Sequence, residues 1–146
     1  MAEVGEQAEA PATEEQETAL ATEEQVASLV RDFYAAADAD PLLGPMFRAV
    51  IPDWQGHLAV VTDFWSRVLL GTDRYAGCVM SAHGKLRMSE AQFDRWLTLF
   101  RQAAEANLPP AGQKRVMEAA GFVDQRLRHW QAAIRERESA PRPGEG

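Results

Sequence analysis

Large apolar residues return every three or four positions at Val26, Leu29, Val30, Phe33 and Ala37. That period puts them on one face of a helix. Thr22 and Gln25 stand ahead of it at the spacing of a capping box. Glu23 and Glu24 fill the first turn, where the helix dipole favours acids. Asp40-Pro41 ends the helix, because proline disfavours helical backbone in the residue before it. Pro41 to Phe47 reads as a short helical turn and corner. A second helix is predicted from about Asp53 to Leu70, with Trp54, Leu58, Val61, Trp65, Val68 and Leu69 on one face and Gly71 at its C-terminal end.

Residues 71–88 hold Gly71, Gly77 and Gly84 and sustain no period. They read as a loop with a short helical turn around His83, and a long irregular segment inside a compact domain is often functional. A third helix opens at Ser89, with Gln92 completing a second capping box, and carries Phe93, Trp96, Leu97, Phe100 and Ala104. Leu108-Pro109-Pro110 breaks the chain. A fourth helix follows to about Arg137, with Val116, Met117, Ala120, Val123, Leu127, Trp130 and Ile134 on one side. No internal repeat and no convincing strand alternation occur. The class is all-α.

Composition changes this picture mainly at the ends. The net charge is −7, yet eight of the 22 acidic residues are glutamates within residues 1–30, which contain no Lys or Arg. The rest of the chain is near neutral. Residues 1–20 are a polar, acidic tail that cannot bury enough surface to offset ordering entropy, so they are expected to be disordered. Residues 138–146 are a second polar tail, which leaves one domain at 21–137. No basic stripe exists to track a phosphate backbone, so no nucleic-acid partner is expected. No run reaches the roughly 18 apolar residues of a membrane span, and no signal segment opens the chain. The single cysteine, Cys78, excludes an internal disulfide and a Cys-based zinc cluster. A soluble, cytoplasmic protein is expected.

The chain lacks G-x-G-x-x-G, a P-loop and H-E-x-x-H, and without Glu-x-x-His a di-iron carboxylate bundle is not indicated. Three histidines remain. His129 falls off the apolar stripe of the last helix and reads as a surface group. His57 lies at the edge of the second helix's apolar face, and His83 in the irregular segment. Each could be a hydrogen-bonded core or boundary histidine. Their company argues for more: Phe33-Tyr34, Phe47, Phe64-Trp65, Phe93 and Trp96 supply much flat surface for a core of this size. A wide planar cofactor would use it. A haem needs such walls, one neutral imidazole for iron, and a few polar tips opposite.

The stretches FYAAADADPLLGPMF (33–47), DWQGHLAVVTDFWSRVLLGTDRYAG (53–77), SAHGKL (81–86) and FDRWLTLF (93–100) resemble the truncated haemoglobins, and within them the third group. Phe-Tyr, Trp-x-x-His, Phe-Trp, Ala-His and Arg-Trp-Leu occur in the family's order. Gly84 stands where the family has a larger apolar residue, and Cys78-Val79 where it usually has Asn-Pro. The resemblance implies a truncated globin fold, a two-over-two helical sandwich around one haem b. It implies His83 as the proximal iron ligand. It implies Tyr34, His57 and Trp96 on the distal side with Val61 beneath the bound gas. Phe33, Phe47, Phe64, Trp65 and Leu86 belong to the cofactor pocket it implies. Tyr75, Lys85 and Arg87 could pair with the haem propionates, or be plain solvated groups.

Three functions then compete. The first is reversible binding of O2 and other diatomic ligands. The second is a haem-dependent redox enzyme that reduces peroxide or dioxygenates nitric oxide, served by an external reductase. The third is a haem-free helical interaction module using the acidic tail. Tyr34, His57, His83 and Trp96 together speak against the third, and the first is preferred to a dedicated enzyme.

Overall fold

Both predicted capping boxes form in the computed structural model, which describes residues 19–77 and 87–139. The Gln25 amide donates to Thr22 Oγ1 at 3.1 Å while the Thr22 amide donates to Gln25 Oε1 at 2.9 Å. Ser89 and Gln92 repeat the exchange at 3.1 and 2.9 Å. The described residues form five helices: α1 (Glu23–Ala39), α2 (Gly44–Val50), α3 (Trp54–Leu70), α4 (Glu90–Asn107) and α5 (Pro110–Ser139). None is long and apolar enough to cross a membrane. Most of the two expected tails, 1–20 and 138–146, lies outside the described residues, but Leu20 packs against the core and Glu138 and Ser139 still belong to α5.

α1 packs against α2, α3 and α4, and α5 packs against α3 and α4, which gives two layers of two long helices. The predicted face of α1 is its buried face: Val26, Leu29, Val30, Phe33 and Ala37 are all covered. Each large side chain there contributes about 1.5–3 kcal/mol by leaving water. The exposed Arg48–Asp38 pair between α2 and α1, at 2.7 Å, adds at most about 1 kcal/mol. Apolar burial therefore holds α2 in place.

The corner after α1 differs from the prediction. Asp40 is extended, as a residue before proline should be. Residues 41–43 then make a turn, and the helix starts only at Gly44 and runs to Val50. Asp40 builds this corner. Its buried carboxylate accepts the Leu42 and Leu43 amides at 3.0 and 2.9 Å and Arg95 Nε from α4 at 2.6 Å. Gly44 sits so close to α1 that a Cβ would overlap the Asp38 carbonyl oxygen.

Two faces are wider or narrower than the sequence suggests. α4 also buries Leu99 and Ala103, because it lies between α1 and α5. α3 buries only Trp65, Ser66 and Leu69 fully. Trp54, Leu58, Val61, Phe64 and Val68 stay half-buried. Part of an apolar face left uncovered points to a cavity. Gly71 ends α3 with φ +70°, the left-handed conformation that suits glycine.

Candidate functional site

A cavity of about 640 Å³ opens between the helices. That lies within the range of about 300–1,000 Å³ usual for small-molecule and cofactor sites. α1 supplies Phe33 and Tyr34, and α2 supplies Phe47. α3 supplies His57, Val61, Phe64 and Trp65, and α4 supplies Phe93 and Trp96. Tyr75, from the segment after α3, closes one side.

The walls are mutually braced. Phe33 is the hub, with ring centroids 5.0 Å from Tyr34, 6.1 Å from Trp96 and 5.5 Å from Phe100, all edge to face. Trp96 stacks on Phe100 at 5.6 Å, and Trp65 meets the same ring at 4.7 Å. Phe64 packs edge-on against Trp65 at 4.9 Å and Tyr75 at 5.2 Å. Such pairs add about 0.5–1.5 kcal/mol each beyond area burial. The cavity's walls are therefore held by aromatic contacts among themselves.

One polar pair interrupts this lining. Tyr34 Oη lies 2.8 Å from His57 Nε2. Tyr34 is 8% exposed, and burial raises its phenol well above the ordinary tyrosine range, so it keeps its proton. His57 is held by the start of α3. Asp53 caps this helix by accepting the Gly56 amide at 3.0 Å, and the His57 amide donates to the Asp53 carbonyl at 3.0 Å. Gly56 leaves room for the Asp53 carboxylate, which would have to turn aside for a Cβ there. The result is a phenol and an imidazole in contact, both facing an apolar cavity.

Of the residues singled out in the sequence, Phe33, Tyr34, Phe47, His57, Val61, Phe64, Trp65, Tyr75 and Trp96 all line this one cavity. Arg87 does not; its guanidinium stands 4.0 Å from Glu138 and 5.9 Å from the Trp130 ring centroid. His83, Lys85 and Leu86 lie outside the described residues. His129 is exposed, as expected.

Several lining residues carried no signal in the sequence. Ile51, Pro52, Asp53 and Val60 form part of the rim. Val123 and Leu127 lay on a predicted apolar face, but nothing marked that face as cavity. Asp124 lines the cavity and is buried. Burial raises its carboxyl above the ordinary aspartate range, although its hydrogen bonds to Arg128 pull the other way. Met88 lines the cavity too, and is 4% exposed.

No family model matches the chain. A group 3 truncated hemoglobin of Campylobacter jejuni is 33% identical over 83 residues, which are 53% of this chain and 65% of that protein. The match thus spans just under two thirds of the relative's length. The crystal structure of the group III truncated hemoglobin from Campylobacter jejuni superposes with a TM-score of 0.67 at 26% identity, covering 77% of this chain and 90% of that one. The sequence match and the fold match both lead to a group III truncated haemoglobin. The chain has the truncated globin fold and is similar in both sequence and fold to the group III truncated haemoglobin of Campylobacter jejuni.

Proposed function

We propose that this chain is a haem protein whose cavity binds O2 and other diatomic ligands reversibly. The observation that carries the reading is the Tyr34–His57 pair, a buried proton donor and an imidazole 2.8 Å apart inside an otherwise aromatic cavity. A haem b fits what is there. Phe47, Phe64, Trp65 and Phe93 offer apolar surface to a flat macrocycle, and the cavity volume suits a cofactor of that size class. Tyr75 and Met88 both line the cavity, and residues 78–86 are the segment between them in the sequence. His83 lies within that segment and is assigned as the iron ligand. Tyr75 and Lys85 are assigned to the carboxylates at the cofactor's edge. Arg87, whose guanidinium is exposed and 4.0 Å from Glu138, is assigned to the same edge.

When bound, the haem supplies an iron with an open coordination position for the ligand. The chain's own residues do the rest. Tyr34 and Trp96 present O–H and N–H donors to a ligand that takes up negative charge. Burial keeps the Tyr34 proton in place. The aromatic walls exclude water, and an unused donor among them would itself be costly.

The same pair is a hydroxyl–imidazole path for a proton, which favours turnover of peroxide or nitric oxide as the second reading, with an external reductase as electron source. Adding haemin to the purified chain tests the first reading. A Soret band with distinct ferrous, CO-bound and O2-bound forms is expected, and a chain that leaves the haemin spectrum unchanged would refute it. Steady-state consumption of peroxide or nitric oxide with an electron donor separates the second reading from the first.

A further inference from the structure

Beside its apolar stripe α5 carries a second row, and that row is polar. Asp124, Arg128, Gln131, Arg135 and Glu138 recur every three or four residues, so they are helical neighbours. Their partners are concentrated in one short stretch of chain, residues 87–94. Arg128 donates to Glu90 and, at 2.8 Å, to Asp94, lies over the Phe93 ring at 4.9 Å, and is braced by Asp124 at 3.0 Å. Gln131 Oε1 accepts the Met88 amide at 3.0 Å. Arg135 Nη2 donates to the Met88 carbonyl at 2.9 Å. Both backbone polar groups of Met88 are thus gripped by side chains one turn apart on α5.

Gln131 is an expensive choice for stability alone. It is 1% exposed, and its Nε2 is buried with no hydrogen-bond partner among the described residues. A buried unmade donor costs free energy, and a leucine of similar volume would carry no such cost. What a leucine could not do is accept the Met88 amide.

We propose that Gln131 and Arg135 are positioning residues that fix Met88 in the cavity wall, and so steady the cofactor pocket that Met88 lines. The proposal rests on the assignment of His83 as iron ligand. Met88 is five residues after His83, a span of at most about 17 Å.

Gln131→Leu and Gln131→Glu in the full, haemin-loaded chain test this. Glutamate keeps an oxygen for the Met88 amide and should restore what leucine removes. In Gln131→Leu, hydrogen exchange of the Met88 amide should rise about tenfold, the worth of one hydrogen bond. Haemin loss to an excess acceptor globin should speed by a similar factor, and the iron–histidine stretching band should shift, with helicity unchanged. If Gln131→Leu does not fold, Arg135→Leu, at an exposed position, removes the other half of the grip and should move the same three readouts. His83→Ala is the reference and should abolish the iron–histidine band. Loss of that band in His83→Ala, with exchange, haemin loss and band all unmoved in Gln131→Leu, overturns the positioning role and leaves the haem reading standing. An unchanged band in His83→Ala overturns the ligand assignment, and with it the proposal.

Discussion

Replacing Tyr34 by phenylalanine removes one oxygen and leaves the ring packing intact. That oxygen lies 2.8 Å from His57 Nε2 in a buried site, and in the tautomer whose Nε2 accepts, the ligand and the imidazole compete for the phenol proton. A hydrogen bond to a charged acceptor contributes about 1.5–3 kcal/mol, and one between neutral groups about 0.5–1.5 kcal/mol. Where Tyr34 must leave His57 to serve the ligand, the net gain is the difference, about 1–1.5 kcal/mol. At roughly 1.4 kcal/mol per tenfold, Tyr34→Phe should release O2 about five to ten times faster. The effect belongs in the off-rate, because arrival of the ligand does not need the bond. In a His57→Ala background the competitor is gone, and the same substitution should then speed release by about ten- to a hundredfold. CO draws less charge and its release should barely change. Stopped-flow displacement on the ferrous protein measures all four variants. Equal O2 release rates with and without the Tyr34 hydroxyl, in both backgrounds, would refute the reasoning and return Tyr34 to packing.

His83→Ala should fail to retain haemin unless free imidazole is added, whereas His57→Ala should retain it; the Soret band after gel filtration reads both. Asp40→Ala removes two backbone acceptor bonds and the grip on half-exposed Arg95, for about 2 kcal/mol and roughly 8 °C in thermal midpoint. Burial would raise the Asp40 carboxyl, but Arg95 and the Leu43 and Leu42 amides outweigh it and hold it below the ordinary range. Its stabilisation is therefore complete above the ordinary aspartate range and lost as pH falls through the depressed folded value, so Asp40→Asn should flatten the acid limb of a stability–pH curve. Gly112→Ala should destabilise by about 1–2 kcal/mol in chemical denaturation despite alanine's helix propensity, because its Cβ would overlap the Leu20 carbonyl oxygen. Deleting residues 1–18 should leave the thermal midpoint unchanged, while deletion through Ala21 should lower it by removing that packing and a buried alanine.

The local code was legible. Thr22–Gln25 and Ser89–Gln92 cap their helices as their spacing predicts, and Gly71 ends α3, because capping and left-handed turns involve residues a few positions apart. The motifs at 33–100 led to a truncated globin before any coordinate did. What stayed hidden involved partners far along the chain. The period of α3 says which residues share a face, but not that the face would be left half-covered, since that depends on how α1 and α5 pack on it. Tyr34 and His57 are 23 residues apart, and only the packing of α1 on α3 brings hydroxyl to imidazole. Asp40 read as a helix end before proline, and its bond to Arg95, 55 residues on, decided its role. The row from Asp124 to Glu138 carried no signal in the sequence, because charge on a helix gives no sign of its partner. The sequence by itself determined the helices, their ends and their apolar faces, which depend on residues within one or two turns of each other. The tertiary structure decided which of those faces line a cavity and which polar groups meet across it, because burial and pairing are set by chain segments that sequence spacing does not join.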